Sequence, residues 1–502
     1  MLVQIDCKKI KAKLQKWSGI VVLSSILWLS WTNFAVANES SALQRHILSR
    51  LTFGATSTEI EQINKLGSEA YIQAQLEPQT IKELPILEDY LASLDTVNRE
   101  GIEMQKELVV LNRKRSRVKP SDKRWQQLTQ KIRKLRSGAL HEAMNAHLAR
   151  AVYSERQLQE VMVDFWFNHF NVDAQKGEVK IWMNDYENQI RQFALGNFYD
   201  LLLATAKHPA MLVYLDNHKN TAPESPVGKK SEWGLNENYA RELMELHTMG
   251  VDGGYTQDDV IALARIFTGW GIDRWGKKGE KNGFFFFDNR HDNREKLFLG
   301  HKIVPNGMQE GERALDILVA RPATARFISY KLAQYFVADE PPESLVNQLA
   351  TEFSNSRGNI KLVMDTLIHS QEFNDPQYFE RKFTTPYQYL VSLVRMGEIE
   401  QPNFKRIRGM LFQLSMPIYQ CSTPNGYANT KSAWLNPQAI LQRTSFATAI
   451  SNGTLNQESE IVQSRLKQNL GEISVTTNKA IYKTRPFLKK ALMMGSPEAM
   501  YR

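Results

Sequence analysis

Three polar side chains lie within a strongly apolar stretch and are the first candidates for chemistry. The segment DFWFNHF, residues 164–170, follows apolar residues at helical spacing, which predicts a helix that is buried on nearly all faces. Asp164 and Asn168 are four residues apart and therefore share a face. A buried carboxylate must be paired, protonated or bound to a cation. The segment thus forms either an internal hydrogen-bond network or a ligand or metal site, with His169 as a ligand or proton carrier.

A second polar stripe lies in NENYARELMELHTMG, residues 236–250, which is predicted to be a helix capped by Asn236 and stopped by Gly250. Its polar residues are Glu237, Asn238, Arg241, Glu242 and Glu245, and the simplest interpretation is a ladder of Glu and Arg on one face. His247 falls on the apolar face, as a core histidine would. We expect the polar groups of the first helix to meet the face that carries Asn238, Glu242 and Glu245, because each buried polar group needs a partner.

Three further clusters are less specific. Asp216, Asn217 and Asn220 of YLDNHKN fit a turn or oxygen ligands for a hard cation, and we favour the turn. The segment 251–270 resembles a calcium loop only in part, so a turn followed by a Thr256–Asp259 capping box is the better interpretation. His291 and Asp292 form a loop pair. If a divalent metal ion is the cofactor, the candidate ligands are His169, Asp216, Asn217, Glu242 and Asp292.

Several common chemistries lack their motifs. The sequence contains no GxSxG, no P-loop, no dinucleotide fingerprint and no HExxH. Of its two cysteines, Cys7 lies in the predicted leader, so Cys421 alone cannot form an intrachain disulfide or a thiolate metal site.

The first residues are typical of a secretory signal peptide. Five lysines between Lys8 and Lys16 precede an apolar run from Gly19 to Trp31, and Ala35-Val36-Ala37 gives a small-x-small cleavage pattern. We therefore expect export after cleavage near Ala37, to the periplasm, outer envelope or medium; an uncleaved anchor is the alternative. Cleavage would lower the formal charge from +9 to about +5.

The elements that must position these groups are mainly helices. Helical periodicity recurs through the chain, with predicted helices at 311–320, 323–338, 344–354 and 360–370. The exception is a phenylalanine run at 284–287, so we predict a mainly α, large multi-helix domain with at most a short β element near 284–300. The predicted organisation is a signal peptide at 1–37, N-terminal helices at 38–96, a basic helical hairpin at 97–150, a helical core at 151–446 and a weakly patterned tail at 447–502.

The hairpin carries much of the positive charge, between Lys106 and Arg136. A solvated pair of helices is the simplest interpretation, and contact with a membrane surface is the alternative. Because export is predicted and the charge is local, no nucleic-acid partner is expected.

Taken together, the motifs resemble an uncharacterised bacterial family, domain of unknown function 1800. The resemblance rests on HILSRLTFGAT, DFWFNHFNV, the 190–217 stretch ending in LVYLDN, the 236–260 stretch with ARIFTGW, the His291-Asp292 element with FLG, RPATARFISYKLAQYFV, and the late PNGY and WLNP. It spans residues 43–446.

The resemblance implies export and a helical fold but no established activity. It also implies a partner, a second exported protein resembling the alkaline-phosphatase superfamily. Members of the family usually have Trp-His-Asn-His in the buried helix, whereas Phe167 occupies the first histidine position here. A two-histidine metal site in relatives would be weakened or lost in this chain.

Two functions remain open. The first is an exported cell-envelope enzyme, with or without a metal ion, whose catalytic residues would come from Asp164, His169, Glu242, Glu245 and His291, with a carboxylate as general base. The second is a non-catalytic envelope binding or scaffold protein that works with a partner. A solvent-reachable pocket lined by the buried polar residues would favour the enzyme.

Overall fold

The fold was analysed in a computed structural model that describes residues 41–502. The predicted signal peptide therefore lies outside the described residues. The α-helices are α1 (Ser41–Leu51), α2 (Ser57–Leu66), α3 (Ser68–Leu76), α4 (Pro85–Ala92), α5 (Gly101–Ser116), α6 (Lys123–Tyr153), α7 (Gln157–His169), α8 (Met183–Phe193), α9 (Phe198–Lys207), α10 (Pro209–Tyr214), α11 (Asn238–Glu242), α12 (Gln257–Ile266), α13 (Met308–Val319), α14 (Pro322–Phe336), α15 (Glu343–Asn355), α16 (Ile360–Ile368), α17 (Pro386–Met396), α18 (Phe404–Gln413), α19 (Lys431–Trp434), α20 (Pro437–Ser451), α21 (Gln463–Leu470), α22 (Val475–Lys483) and α23 (Pro486–Met494).

Irregular elements complete the fold. A π-helical segment, Leu243–Thr248, continues α11 directly. Short 3-10 turns lie at Pro78–Thr80, Val179–Ile181, Asn217–Lys219, Gly228–Lys230, Asp288–Arg290, Pro376–Tyr378 and Pro497–Ala499. The strands β1 (Trp270–Ile272), β2 (Phe284–Phe286), β3 (Lys296–Phe298) and β4 (His301–Ile303) form two antiparallel pairs, β1 with β2 and β3 with β4. The protein is thus mainly α, as predicted.

The β structure extends further than the prediction. Phe284–Phe286 forms a strand as expected, but its partner Trp270–Ile272 lies at the end of a stretch that looked helical. Trp270 is fully buried, so this short strand is held by packing as well as by its ladder. Non-local pairing of this kind leaves no periodic signal in three residues.

Helix α7 lies at the centre of the fold. It packs against α1, α3, α6 and α8, and ten of its thirteen residues are buried. Trp166 is fully buried and donates its indole N–H to the Ala194 carbonyl at 3.0 Å. The prediction of a helix that is apolar on nearly all sides is therefore confirmed. None of the helices between residues 41 and 502 combines the length and apolar character needed to cross a bilayer.

Helix ends show where local chemistry was predictable. The predicted Thr256–Asp259 capping box is confirmed, and Asn359 caps α16 with a side chain that accepts the Leu362 N–H. Helix α2 also begins with a capping box, whose N-cap residue lies just before Ser57. Thr56 caps this helix in a reciprocal box with Glu59, because only the residue just outside the helix has the extended backbone that this bond requires.

The helical hairpin and the C-terminal segment lie at the periphery of the fold. Helices α5 and α6 pack together on either side of Pro120, and between residues 106 and 136 only Leu108 and Ile132 are buried. The C-terminal segment packs more closely than its sequence pattern suggests: α23 lies along α20, and Tyr501 pairs with Phe383 in an antiparallel bridge.

Candidate functional site

The polar face of α7 forms part of a partly open cleft of about 380 Å³. Asp164 and Asn168 are partly exposed, unlike the buried residues around them, because their side chains reach this space. Three elements build the cleft: α7, α14 and the loop 423–430. Its lining residues include Asp164, Phe165, Asn168, His169, Leu246, Phe327, Lys331, Gln334, Tyr335, Thr385, Met416, Thr423 and 425–430. The solvent-reachable pocket that would favour an enzyme is therefore present.

Asp164 is held by a hydrogen-bond chain with a defined direction. Gln388 completes a capping box at the start of α17, where its side-chain oxygen accepts the Thr385 N–H at 3.0 Å. Its amide Nε2 is thus the end that faces Tyr335 and donates to the phenol oxygen at 3.0 Å. The phenol in turn donates to Asp164 Oδ2 at 3.2 Å. One carboxylate oxygen is thereby fixed, and the other is left for a ligand.

The pKa of Asp164 is raised. Burial is the main cause, and the field of Glu187 acts in the same direction. The positive charge of His147, the hydrogen bond from Tyr335 and the charge of Arg502 oppose it. Arg502 lies over the Tyr335 ring at 4.6 Å and donates to the Tyr335 carbonyl at 3.0 Å. A carboxyl group with a raised pKa in a cleft is the usual form of a general base or acid.

A buried charge network lies behind Asp164. Glu187 accepts from His147 Nδ1 at 2.8 Å and from Arg191 at 2.5 Å, and its carboxylate also bonds the Tyr419 hydroxyl. Burial alone would lower the pKa of His147, but Glu187 more than offsets this, so the pKa of His147 is raised. The pKa of Glu187 lies well below its ordinary range because the surrounding cations outweigh burial.

A smaller cavity of about 40 Å³ joins this network to Asp164. Asp164, His147, Phe167 and Tyr419 all line it. Its volume is enough for water, which needs roughly 10–15 Å³. Asp164 therefore lies between two spaces, the open cleft on one side and a small cavity that His147 also lines on the other.

Asn168 is a structural residue of the cleft wall. Its amide donates to the Tyr427 carbonyl at 2.9 Å, and its oxygen accepts the Tyr427 N–H at 2.8 Å. The neighbouring Gly426 has φ +70°, and a Cβ at this position would lie 2.3 Å from the Asn168 carbonyl oxygen. The PNGY sequence thus needs glycine both for backbone conformation and for the close approach of loop to helix.

The His169 side chain contacts the backbone of the helical segment that carries the second polar stripe. Its Nε2 donates to the His247 carbonyl at 3.1 Å, which leaves Nδ1 as the unprotonated ring nitrogen. Burial holds the pKa of His169 well below its ordinary value, and burial lowers the pKa of His247 to about 3. Both imidazoles are therefore neutral near pH 7. His247 belongs to the π-helical segment, a feature often found at functional sites.

Lys331 brings a positive charge to the cleft. Among residues 41–502 its ammonium forms no ion pair with a carboxylate, and it lies 5.5 Å from the centre of the Phe327 ring. Burial lowers its pKa. Lys331 can therefore attract an anionic group or stabilise negative charge that develops on a bound ligand.

The expected meeting of the two polar helix faces is not what the structure shows. Among residues 41–502, no hydrogen bond or ion pair joins Asp164 or Asn168 to Glu242 or Glu245. Glu245 instead pairs with Arg241 at 3.5 Å, and Arg241 also pairs with Glu237 at 3.4 Å. The stripe is thus the ladder of Glu and Arg that the simpler interpretation predicted. Arg241 pairs with Glu237 and Glu245, whereas Glu242 forms no ion pair within residues 41–502.

The remaining candidates lie in separate networks. His291 bonds Glu310 at 3.0 Å and the Thr268 carbonyl at 2.8 Å, both fully internal contacts, and Asp292 pairs with Arg265 at 2.7 Å. Asp216 pairs with Lys176 at 2.7 Å, and Asn217 donates to backbone carbonyls, which confirms the turn. Of the five predicted catalytic residues, the structure places Asp164 and His169 in the cleft and Glu242, Glu245 and His291 elsewhere.

The described residues contain no group of three or more His, Cys, Asp and Glu side chains that could hold a metal ion. The candidate ligands His169, Glu242, Asp216, Asn217 and Asp292 are divided among the cleft, the ladder, the turn and the Arg265 pair. The position of Phe167 is informative, because it faces His147 and Asp164 across the small cavity. A histidine at position 167 would bring three potential ligands together.

Sequence reasoning missed Tyr335, Gln388, Lys331, His147 and Glu187. Tyr335 and Lys331 lie in the RPATARFISYKLAQYFV motif, but their helical spacing resembles that of a core helix. His147 lies on α6 among alanines and leucines, and a buried histidine on such a helix was the only available signal.

The fold and the cleft define a mainly α-helical protein with a carboxyl group of raised pKa at a solvent-reachable site. A family model described as Protein of unknown function (DUF1800) matches residues 46–501, so the chain belongs to this family. No curated protein and no solved structure matches the chain.

Proposed function

We propose that this protein is an exported enzyme of the cell envelope that uses Asp164 as a general base in the cleft. The observation that supports this most directly is the placement of Asp164: the residue is partly exposed in the open cleft, and burial of its carboxyl group still raises its pKa. A purely structural carboxylate is usually satisfied on both oxygens. Within residues 41–502, Asp164 accepts one hydrogen bond, from Tyr335.

The proposed reaction is hydrolysis. Asp164 takes a proton from water, and the resulting oxygen nucleophile attacks a carbonyl or phosphoryl centre of the substrate. The negative charge that forms on the attacked group faces Lys331, whose ammonium has no carboxylate partner among residues 41–502. As the bond to the leaving group breaks, Asp164 returns its proton to the leaving atom. Tyr335 holds Oδ2 in place throughout, because Gln388 fixes the direction of its hydrogen bond.

Export supports an envelope substrate. The lysine-rich start, the apolar run from Gly19 to Trp31 and Ala35-Val36-Ala37 form the sequence pattern of a cleaved leader. A cleft of about 380 Å³ accepts a few units of a polymer or a small molecule. We therefore propose an envelope polymer as the substrate class and expect N-terminal sequencing of exported protein to begin at Asn38.

The test is a turnover assay with envelope polymers. The chain from Asn38 onward is incubated with peptidoglycan, lipopolysaccharide and polysaccharide fractions, and released fragments are measured by mass spectrometry. We expect Asp164→Asn to reduce turnover by roughly 10²–10⁴-fold, the usual contribution of general acid–base catalysis. Asp316→Asn, an exposed carboxylate paired with Arg313, is the matched control and should leave turnover unchanged.

Three outcomes would contradict the proposal. Equal turnover by wild type and Asp164→Asn would remove the proposed base. Fragment binding that raises the melting temperature without any turnover would make the protein a binding module. If no fraction shows turnover and no fraction shifts the melting temperature, the cleft does not bind an envelope polymer.

A further inference from the structure

Helix α22 is exposed on nearly all sides. Of its nine residues only Ile481 is buried. Val475 is 70 % exposed, and Tyr482 is 85 % exposed, the largest value among the exposed large apolar side chains of residues 41–502. Phe487, at the start of α23, is 60 % exposed. Large apolar side chains exposed on neighbouring helical segments are typical of an interaction site.

The same surface is positively charged. Val475, Lys479, Tyr482 and Lys483 share one face of α22 by their helical spacing, and Arg485 and Phe487 follow directly. We call these six residues the basic face. The sequence between Ile473 and Pro497 contains no Asp or Glu. Within the described chain, none of the cations of the basic face forms an ion pair, so their charge is available to a partner.

The basic face is held in place. Glu498 accepts the Ser474 N–H at 3.0 Å and the Thr477 hydroxyl at 3.2 Å, which fixes the start of α22. Lys490 of α23 donates to the Ile461 carbonyl at 2.9 Å, and α23 packs along α20. The surface is therefore preformed, and a partner need not order it.

We propose that the basic face docks this protein on an anionic lipid surface. Lysine and arginine supply attraction to lipid phosphates, and Val475, Tyr482 and Phe487 supply the apolar groups that enter the headgroup region. The helical hairpin between residues 106 and 136 carries more charge, but its exposed large apolar side chains are limited to Val110. A surface that has positive charge but no apolar groups binds soluble polyanions as well as it binds lipid. The basic face has both the positive charge and the exposed apolar side chains of an interfacial helix.

The experiment is vesicle co-sedimentation with the chain from Asn38 onward, which removes the apolar 19–31 segment that would itself bind lipid. Vesicles contain phosphatidylglycerol in phosphatidylcholine or phosphatidylcholine alone. We expect binding to the anionic vesicles only, with affinity that falls as salt is added. Lys479→Gln, Lys483→Gln and Arg485→Gln together should weaken binding by about 100-fold, roughly fivefold for each cation removed.

Matched variants locate the site. Lys114→Gln, Arg117→Gln and Lys131→Gln remove three exposed hairpin charges and should change binding by less than about threefold. Tyr482→Ser with Phe487→Ser keeps the charge and should lower affinity by at least about tenfold through lost apolar contact. Tyr482→Trp adds a reporter at the exposed position, and its fluorescence should shift to the blue on anionic vesicles.

Equal binding to neutral and anionic vesicles, or none to either, would overturn the proposal. A larger loss in the hairpin variant than in the basic-face variant would move the site to the hairpin. Binding to a single-stranded oligonucleotide with unchanged affinity in the Tyr482→Ser, Phe487→Ser variant would identify a polyanion surface instead. Unchanged melting temperatures must accompany each variant, as expected for exposed positions.

Discussion

The Tyr335 hydroxyl donates a hydrogen bond to Asp164 Oδ2 at 3.2 Å, although the two residues are 171 positions apart in the chain. The bond lowers the pKa of Asp164, opposing the burial that raises it. The Tyr335 hydroxyl therefore helps to set the pKa of the Asp164 carboxyl group in the cleft.

Replacing the phenol gives the first prediction. Tyr335→Phe should raise the pKa of Asp164, because the carboxylate loses its hydrogen bond while its burial remains. The pKa is measured by carbon-detected NMR of labelled aspartate. Tyr389→Phe is the control, since Tyr389 donates to the backbone of residue 443 or 494 and does not line the cleft. A lower pKa of Asp164 in Tyr335→Phe would contradict the proposed direction of the hydrogen bond.

The second prediction concerns the buried network. Glu187→Gln should lower the free energy of unfolding by about 3–5 kcal/mol, because it leaves His147, Arg191 and Arg150 without their shared carboxylate. Urea denaturation measures the change. Glu343→Gln breaks an exposed pair with Arg326 and should cost no more than about 1 kcal/mol. Similar losses in the two variants would show that the network does not stabilise the fold.

A pH dependence follows from His147. Its pKa is raised on folding, so its pairing with Glu187 stabilises fully below the ordinary value of 6.5 and the benefit is lost as pH rises through the raised pKa. The difference in unfolding free energy between wild type and His147→Gln should therefore be largest below pH 6.5 and shrink in alkaline solution. A difference that grows with pH would mean that the histidine is neutral in the folded state.

The cleft wall gives the fourth prediction. Gly426→Ala should destabilise the protein by roughly 1–3 kcal/mol, because a Cβ would collide with the Asn168 carbonyl and the backbone is left-handed. Calorimetry measures the loss. Gly409→Ala, inside α18 with open space around it, should be neutral or stabilising. Equal changes in stability for the two variants would mean that the loop does not pack on α7.

The fifth prediction concerns the small cavity. Phe167→His should create a Zn²⁺ site from the introduced imidazole together with His147 and Asp164, so Zn²⁺ should raise the melting temperature of the variant and leave wild type unchanged. Adding His147→Ala to Phe167→His should abolish the shift. A shift that survives this second change would place the metal elsewhere.

The sequence predicts local features of this protein well and non-local ones poorly. Helix α7, the Thr256 cap and the helices after residue 308 follow from periodicity and capping, which depend on neighbours in the chain. Asp164 was identifiable as a polar group on an apolar helix. Tyr335 and Gln388 were not, because their role depends on α14 and α17 meeting α7. The same limit explains His291, whose partner Glu310 could not be chosen from spacing alone.

The loop 423–430 has a consequence for the order in which the molecule acquires its site. Ribosomes make α7 early, but the wall that Asn168 binds is synthesised more than 250 residues later, and Arg502 follows it. A partly synthesised chain therefore has Asp164 without the cleft. The cleft can form only after residues 423–430 have been synthesised, so Asp164 has no enclosing site while the growing chain is shorter than this.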